Sequence, residues 1–216
     1  MRRRLGFLTF IAASAILTAG AYLVYSSQSV RHLHAGQSVR FEDLSSFHFF
    51  GGDWTALSGT ISDGRSGRGD LAVTTDSTWG RVHLSGDVRF DNFFPGVPYG
   101  DAGFVLRVTQ PDVGVDSFHG YYAGIRIQNQ TLVFGKAEDH WSELKEQPLT
   151  FAVTPGGWYH LSVDADKCRF VVRARPVAGG REASFVYDDP DCFPSGAVGL
   201  RLFYVQASWR NLIARG

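Results

Sequence analysis

Between Gln37 and Gly216 apolar and polar residues alternate in short runs, and clusters of Gly, Asp, Asn and Pro separate one run from the next. Val82, Leu84, Val88 and Phe90 share one parity, His83, Ser85, Asp87 and Arg89 take the other, and Asp91-Asn92 closes the run. A period of two puts each set on its own face of a strand, one buried and one wet. The same division recurs where Phe104, Leu106 and Val108 oppose Val105 and Arg107. It recurs again where Ala123, Ile125 and Ile127 oppose Tyr122, Arg126 and Gln128, and where Tyr159, Leu161 and Val163 oppose Trp158, His160 and Asp164. No segment keeps a helical period over three turns. Many antiparallel strands with one solvated face and no crossover helices predict an all-β fold, a two-sheet antiparallel β-sandwich or jelly roll over residues 37–216.

The amino terminus follows a different rule. Arg2, Arg3 and Arg4 precede an uncharged, mostly apolar stretch from Leu5 to Val24, which predicts one N-terminal hydrophobic helix acting as a signal anchor or signal peptide over residues 1–25. Twenty apolar residues match the thickness of a bilayer, so residues 5–24 make the membrane a partner and leave the rest extracytoplasmic, membrane-anchored or secreted. Ala19-Gly20-Ala21 offers a small-x-small cleavage site, yet Tyr22 to Tyr25 prolong the apolar run beyond it, which favours an uncleaved anchor. A buried helix of a cytosolic protein would need a polar face, and none interrupts the run. Residues 26–36 are polar and aperiodic, a tether.

Composition narrows the functions. Lys plus Arg and Asp plus Glu both total 21, so no field draws a nucleic acid. Twenty-five glycines, 17 Phe, 8 Tyr and 5 Trp beside a single Met belong to a β-rich rather than a helical chain. Two cysteines, far from any paired histidine spacing, do not make a zinc site. A hairpin centred between Gly179 and Gly180 sets Cys168 opposite Asp191, one residue from Cys192. A disulfide between Cys168 and Cys192 then needs only a bulge at Pro190 or a one-residue shift of register.

The segments DWTALSGTISDG, LAVTTD, VHLSGDVRF, DAGFVLRV, YYAGIRI, LVFGK, GGWYHLSVDA and SGAVGLRLFYVQASWRNLIA follow one another in an order that resembles the concanavalin A-like lectin/glucanase superfamily, and within it the laminin-G-like bacterial jelly-roll domains. The resemblance runs from Phe47 to Ala214 and includes Gly-x-x-x-Arg at Gly103 to Arg107 and Gly-x-Val-Gly-Leu-Arg from Gly196. It implies two stacked antiparallel sheets, one concave, and often a sugar site on the concave face or its rim. The superfamily also holds hydrolases, so the fold alone leaves the function open.

The polar parity contributes His83, Asp87, Arg89, Arg107, Tyr122, Arg126, Gln128 and Lys136, expected side by side in one sheet as a sugar-facing trough. Sugars are held by planar hydrogen-bonding groups around their hydroxyls and an aromatic ring under their C–H face. Trp54, Trp79, Tyr121 and Trp141 are the candidate platforms, and the ligand-binding set is Asp87, Arg89, Arg107, Tyr122, Arg126, Gln128 and Trp141. The same parity equally describes the solvent face of any sandwich. No Glu-x-Asp-x-Glu string of the superfamily's glucanases occurs, and Asp87 with Glu143 is the one carboxylate pair considered for hydrolysis. No catalytic residue is assigned. Calcium is the one cofactor considered, at Asp112 with Asp116 or at Asp188, Asp189 and Asp191. Arg68-Gly69-Asp70 matches an integrin-recognition tripeptide that a Gly-rich loop produces by chance, and Asn129-Gln130-Thr131 is a glycosylation sequon in a turn. Three readings stand: an exported carbohydrate-binding module without catalysis, a glycoside-cleaving enzyme, or a structural or protein-binding envelope domain.

Overall fold

The computed structural model describes residues 31–32, 37–75, 77–93, 96–97 and 100–216. The predicted helix over residues 1–25 lies outside them, as does most of the tether. The chain runs through β1 (Arg31–His32), β2 (Ser38–Phe41), β3 (Phe47–Phe50), β4 (Trp54–Leu57), β5 (Thr60–Asp63), β6 (Arg68–Thr74), β7 (Ser77–Thr78), β8 (Val82–Phe93) and β9 (Asp101–Thr109). It continues through β10 (His119–Arg126), β11 (Thr131–Glu138), β12 (Trp141–Pro148), β13 (Trp158–Asp166), β14 (Arg169–Pro176), β15 (Ala183–Asp188), β16 (Ala197–Phe203) and β17 (Val205–Arg215). The helical content among the described residues is one 3-10 turn, Leu44–Ser46, started by the Asp43 side chain accepting from Ser45 N at 2.9 Å.

Two antiparallel sheets make the sandwich. One is seven-stranded in the order β12-β11-β10-β9-β16-β6-β3, the other runs β15-β14-β13-β8-β17-β5-β4 with β2 also on β17, and β1 and β7 form a separate parallel pair. The alternation read along the chain explains the interior: Phe104, Leu106, Tyr121 and Phe134 from the first sheet meet Val88, Phe90, Leu161, Phe170 and Trp209 from the second in one cluster. Each fully buried side chain of this size is worth roughly 1.5–3 kcal/mol of burial, which is what holds two separate ladders face to face.

The seven-stranded sheet departs from the simple pattern because its outer face is apolar as well. Leu71, Val73, Val105, Val108, Tyr122 and Val133 pack there, under Phe118 from the β9–β10 connection. A strand buried on both sides reads as a near-continuous hydrophobic run, as β9 and β10 do.

Arg107 is the second departure. Its φ of 53° places it in the left-handed region, and the ladder slips by one residue there against both β10 and β16. The extra residue inverts the parity that follows, so Val108 joins Val105 on the outer face while Arg107 turns inward over the Phe170 ring at 5.1 Å.

Cys168 and Cys192 form a disulfide with Cα atoms 5.5 Å apart. The hairpin register differs from the predicted one. Arg169 pairs with Asp188 and Ala174 with Ala183, which centres the β14–β15 turn on Ala178-Gly179 and sets Cys168 opposite Asp189. Asp189 N donates to Cys168 O at 2.9 Å, and the chain passes Pro190 before Cys192 reaches the other sulfur.

Candidate functional site

The predicted trough is divided between the two sheets. β8 lies between β13 and β17, whereas β9, β10 and β11 belong to the other sheet, so Asp87 and Arg89 stand on the opposite side of the sandwich from Tyr122, Arg126 and Trp141. Asp87 and Glu143 are separated in the same way and cannot act on one bond.

On the β8 side the polar residues satisfy one another. Asp87 is buried and holds Asn211 Nδ2 at 2.8 Å, His160 Nδ1 at 3.0 Å and Arg210 Nε at 3.2 Å. Burial pushes the Asp87 carboxyl up, but these hydrogen bonds outweigh it and hold the group below the usual aspartate value. Arg89 pairs with Asp91 at 2.5 Å rather than with Asp87, and Arg89 and Arg210 lie over the Trp158 ring at 4.8 and 4.1 Å. His83 faces Asp164 at 2.6 Å.

Other expected site residues sit elsewhere. Arg107 is 1% exposed and donates to three main-chain carbonyls, of Phe193 at 2.6 Å, Gly80 at 2.7 Å and Lys167 at 2.5 Å, which removes it from any sugar face. Gln128 accepts from Gly100 N at the β10–β11 turn. Lys136 shares the parity of Leu132 and Phe134 and donates to Asp191 O at 2.7 Å. Trp79 and Tyr121 are core residues, and Trp54 stacks on Trp209 at 5.7 Å. Four of the five carboxylates considered for calcium have protein partners. Asp116 takes Arg201, Asp112 caps Val113 N, Asp188 pairs with Arg169, and Asp189 accepts from Tyr121 Oη and Asp191 N. Among the described residues no three His, Cys, Asp or Glu side chains gather as a cation cage.

What the structure does bring together is Tyr122, Arg126 and Trp141, on the outer face of the seven-stranded sheet. They line a cavity of about 230 Å³ with Arg68, Asp101, Asp116, Arg201 and Phe203, and with Val115 from the β9–β10 connection. Strand register places the charges: Asp101 opens β9 directly between Arg126 on β10 and Phe203 on β16. Arg126 spans three carboxylates, with Nε 3.9 Å from Asp101 Oδ2, Nη2 3.1 Å from Glu143 Oε2 and Nη1 3.0 Å from Glu146 Oε1. Glu146 also accepts from Thr131 Oγ1 at 2.7 Å. Arg201 bridges Asp116 at 2.6 Å and Asp101 at 3.4 Å, with its guanidinium over the Tyr122 ring at 4.8 Å. Burial pushes the Asp101 carboxyl up while Arg201 and Arg126 pull it down, and the net direction is up.

Two glycines let aromatic rings lie on this sheet. A Cβ on Gly124 would stand 2.0 Å from Tyr122 Oη, and one on Gly135 would stand 2.3 Å from the Trp141 ring carbons. Tyr122 and Trp141 meet edge to face at 6.0 Å. The Tyr122 hydroxyl is buried without a hydrogen-bond partner of ordinary geometry, and burial and the Asp101 charge push it well above the usual tyrosine value. Asp101, Arg201 and Glu146 were not among the expected residues, and Asp116 was expected only as a calcium ligand, although Asp101 and Arg201 each alternate with core positions, Ala102 and Leu200 with Leu202.

No family model matches the chain, and no curated protein does. Solved structures do. A Bacillus subtilis protein of unknown function with a galectin-like fold superposes with a TM-score of 0.62 at 10% identity, over 85% of this chain and 96% of that one. Basic winged bean lectin with Tn-antigen gives 0.60 at 10% identity, over 82% and 97%. A Parabacteroides distasonis protein described as a glycosyl hydrolase gives 0.51 at 13% identity, over 81% and 89%. At these identities the likeness is one of architecture, and what this chain shares with them is the concanavalin A-like jelly-roll fold.

Proposed function

We propose that the chain is a carbohydrate-binding module whose site is the cavity on the outer face of the seven-stranded sheet. The observation that carries this is the joining of an aromatic surface, Trp141 set edge to face against the buried Tyr122, to a fixed lattice of planar donors and acceptors, Arg126, Arg201, Asp101 and Asp116. That is the pairing a sugar ring asks for, C–H faces on aromatics and hydroxyls on charged planar groups. Sites for drug-sized ligands run to ~300–1,000 Å³, so a smaller cavity suits one sugar ring at a chain end or side branch. The lectins among the structural neighbours support the reading. Within the superfamily the order of segments resembles that of laminin-G-like bacterial domains, and membership there is part of the proposal. Export and tethering through residues 5–24 belong to the same proposal, and alkaline phosphatase fused after residue 25 should be active outside the cytoplasm.

The test is a glycan array probed with the full chain. Retention should concentrate on one saccharide class and vanish in Trp141→Ala at an unchanged fold. A blank array from folded protein removes the proposal. Glycoside cleavage is the second reading, favoured by the raised Asp101 carboxyl facing Glu143 and Glu146 across Arg126. It requires release of new reducing ends that Asp101→Asn abolishes.

A further inference from the structure

Arg68 is the one cation lining the cavity that has no carboxylate partner among the described residues. Arg126 and Arg201 each face carboxylates, and each carboxylate lining the cavity faces one of them. Arg68, at the rim on the first residue of β6, is exposed and lies 5.5 Å over the Tyr204 ring, and no carboxylate among the described residues is within ion-pair distance of it. Its position is set by the ladder. Arg68 pairs with Phe203 at a bulge, and Gly67 O accepts Tyr204 N at 2.8 Å, which brings the tyrosine ring beneath the guanidinium.

The acid that follows in the chain does not complement it. Asp70 is 5% exposed and turned to Arg65 Nη2 at 3.0 Å. The tripeptide Arg68-Gly69-Asp70 therefore cannot present both of its charges to one partner, and its arginine is left facing the cavity alone.

We infer that Arg68 makes the module selective for acidic sugars, its guanidinium taking the carboxylate of a hexuronate whose ring rests on Trp141. This deepens the carbohydrate-binding reading and rests on it. A guanidinium fork matches a planar carboxylate with two parallel N–H donors, and stacking on Tyr204 holds the fork at a small loss of side-chain freedom. Asp101, Asp116, Glu143 and Glu146 already engage Arg126 and Arg201, which leaves Arg68 the guanidinium at the cavity open to a guest's carboxylate. A neutral hexose fits the same aromatic surface and leaves Arg68 in water.

The experiment is an array of galacturonate, glucuronate and mannuronate oligosaccharides printed beside their carboxyl-reduced counterparts and sulfated galactose oligosaccharides. At low salt the chain should retain one hexuronate about tenfold better than its reduced partner, and this preference should collapse in 0.5 M NaCl. Arg68→Gln should erase the preference while keeping the residual binding of the reduced sugar and the melting temperature. Trp141→Ala should remove both. Equal retention of acidic and reduced members, or a preference that survives Arg68→Gln, overturns the role of Arg68 and leaves the module reading standing. Better retention of the sulfated sugars overturns the choice of carboxylate. No retention of any member by folded protein brings down both readings.

Discussion

Arg107 Nη1 reaches the Phe193 carbonyl at 2.6 Å and comes within 3.6 Å of Cys192 Sγ, so one guanidinium and one disulfide hold the same stretch of chain. The other two carbonyls it takes, of Gly80 and Lys167, lie before β8 and between β13 and β14. A single buried cation thus fastens three connections at one end of the sandwich. Its removal leaves buried acceptors without donors, a cost of about 3–5 kcal/mol. Arg107→Ala should melt roughly 10 °C or more below the parent chain while sugar retention on the outer face, measured below the transition, is kept. Loss of retention at an unchanged melting temperature would return Arg107 to the binding site. Arg107→Lys keeps the charge without the fork and should recover only a small part of the loss.

The Cys168–Cys192 bridge closes a loop between residues 24 apart in sequence. In the chain-entropy account a loop of this length contributes about 3 kcal/mol by restricting the unfolded chain. The double variant Cys168→Ala/Cys192→Ala should therefore unfold at a lower urea midpoint by that amount, and dithiothreitol should move the parent chain to the same midpoint. An unchanged midpoint in reductant would mean that Arg107 and the β14–β15 ladder hold the segment unaided.

The faces of individual strands were legible in the sequence, and their neighbours were not. Val82, Leu84, Val88 and Phe90 are buried as their alternation requires, because β8 meets β13 without a bulge. Nothing local says that β8 pairs with β13 and β17 while β9, the next strand, joins β10 and β16 in the other sheet, since β13, β16 and β17 lie far along the chain. Hence Asp87 and Arg107 were drawn onto one face and stand in different sheets. Arg107 carries no mark of its bulge, because an arginine in the left-handed region is not announced by its neighbours as a glycine would be. The disulfide was within reach of the turn glycines even though the register differs by two residues. Tyr122, Arg126 and Trp141 were expected by residue type, and the structure brings them to one cavity. Asp101 and Arg201, which line the same cavity, were not expected because the outer face they share is also apolar, with Val105 and Val133 packed on it.

The β8 side of the sandwich predicts a response to acid. Asp87 and Asp164 are both held below the usual aspartate value, against burial, Asp87 by His160, Asn211 and Arg210 and Asp164 by Arg173 and His83. A carboxyl depressed by folding contributes its stability above its unfolded value, near 3.9, and loses it as pH falls through the lower folded value. Urea midpoints should therefore be flat with respect to these groups above about pH 5 and fall below about pH 4. Asp87→Asn should start less stable at neutral pH and show a shallower fall in acid. Asp101 works in the opposite sense, since its raised value gives stability that is present at low pH and lost as pH rises through it, so Asp101→Asn should steepen the acid loss. Parallel profiles for the parent chain and both variants would show that neither carboxyl titrates differently on folding.

Gly124 and Gly135 separate the placing of the aromatic rings from their presence. The Cβ of Gly124→Ala would meet Tyr122 at Oη 2.0 Å, Cζ 2.3 Å and Cε1 2.9 Å, all of them atoms of one side chain. The ring must then lift off the sheet, which carries it away from Arg201 and changes the floor of the cavity. Gly135→Ala meets the Trp141 ring at 2.3 Å but also the Ser142 carbonyl at 2.6 Å, so it strains the β11–β12 ladder as well. Gly124→Ala is the cleaner change, with an overpacking cost of about 1–3 kcal/mol. It should weaken sugar retention about fivefold or more, as expected when a stacking surface worth ~1 kcal/mol or more is displaced, and Gly124→Ala with Tyr122→Phe should not restore it, because the ring rather than the hydroxyl alone is in the way. Gly103 is the contrast in β9: a Cβ there would strike the Ala123 carbonyl at 2.2 Å, backbone that cannot yield. Gly103→Ala should therefore fail in folding, with a collapsed melting transition. Full sugar retention by folded Gly124→Ala protein would show that the ligand does not depend on where Tyr122 holds Trp141 and would move the site away from this face.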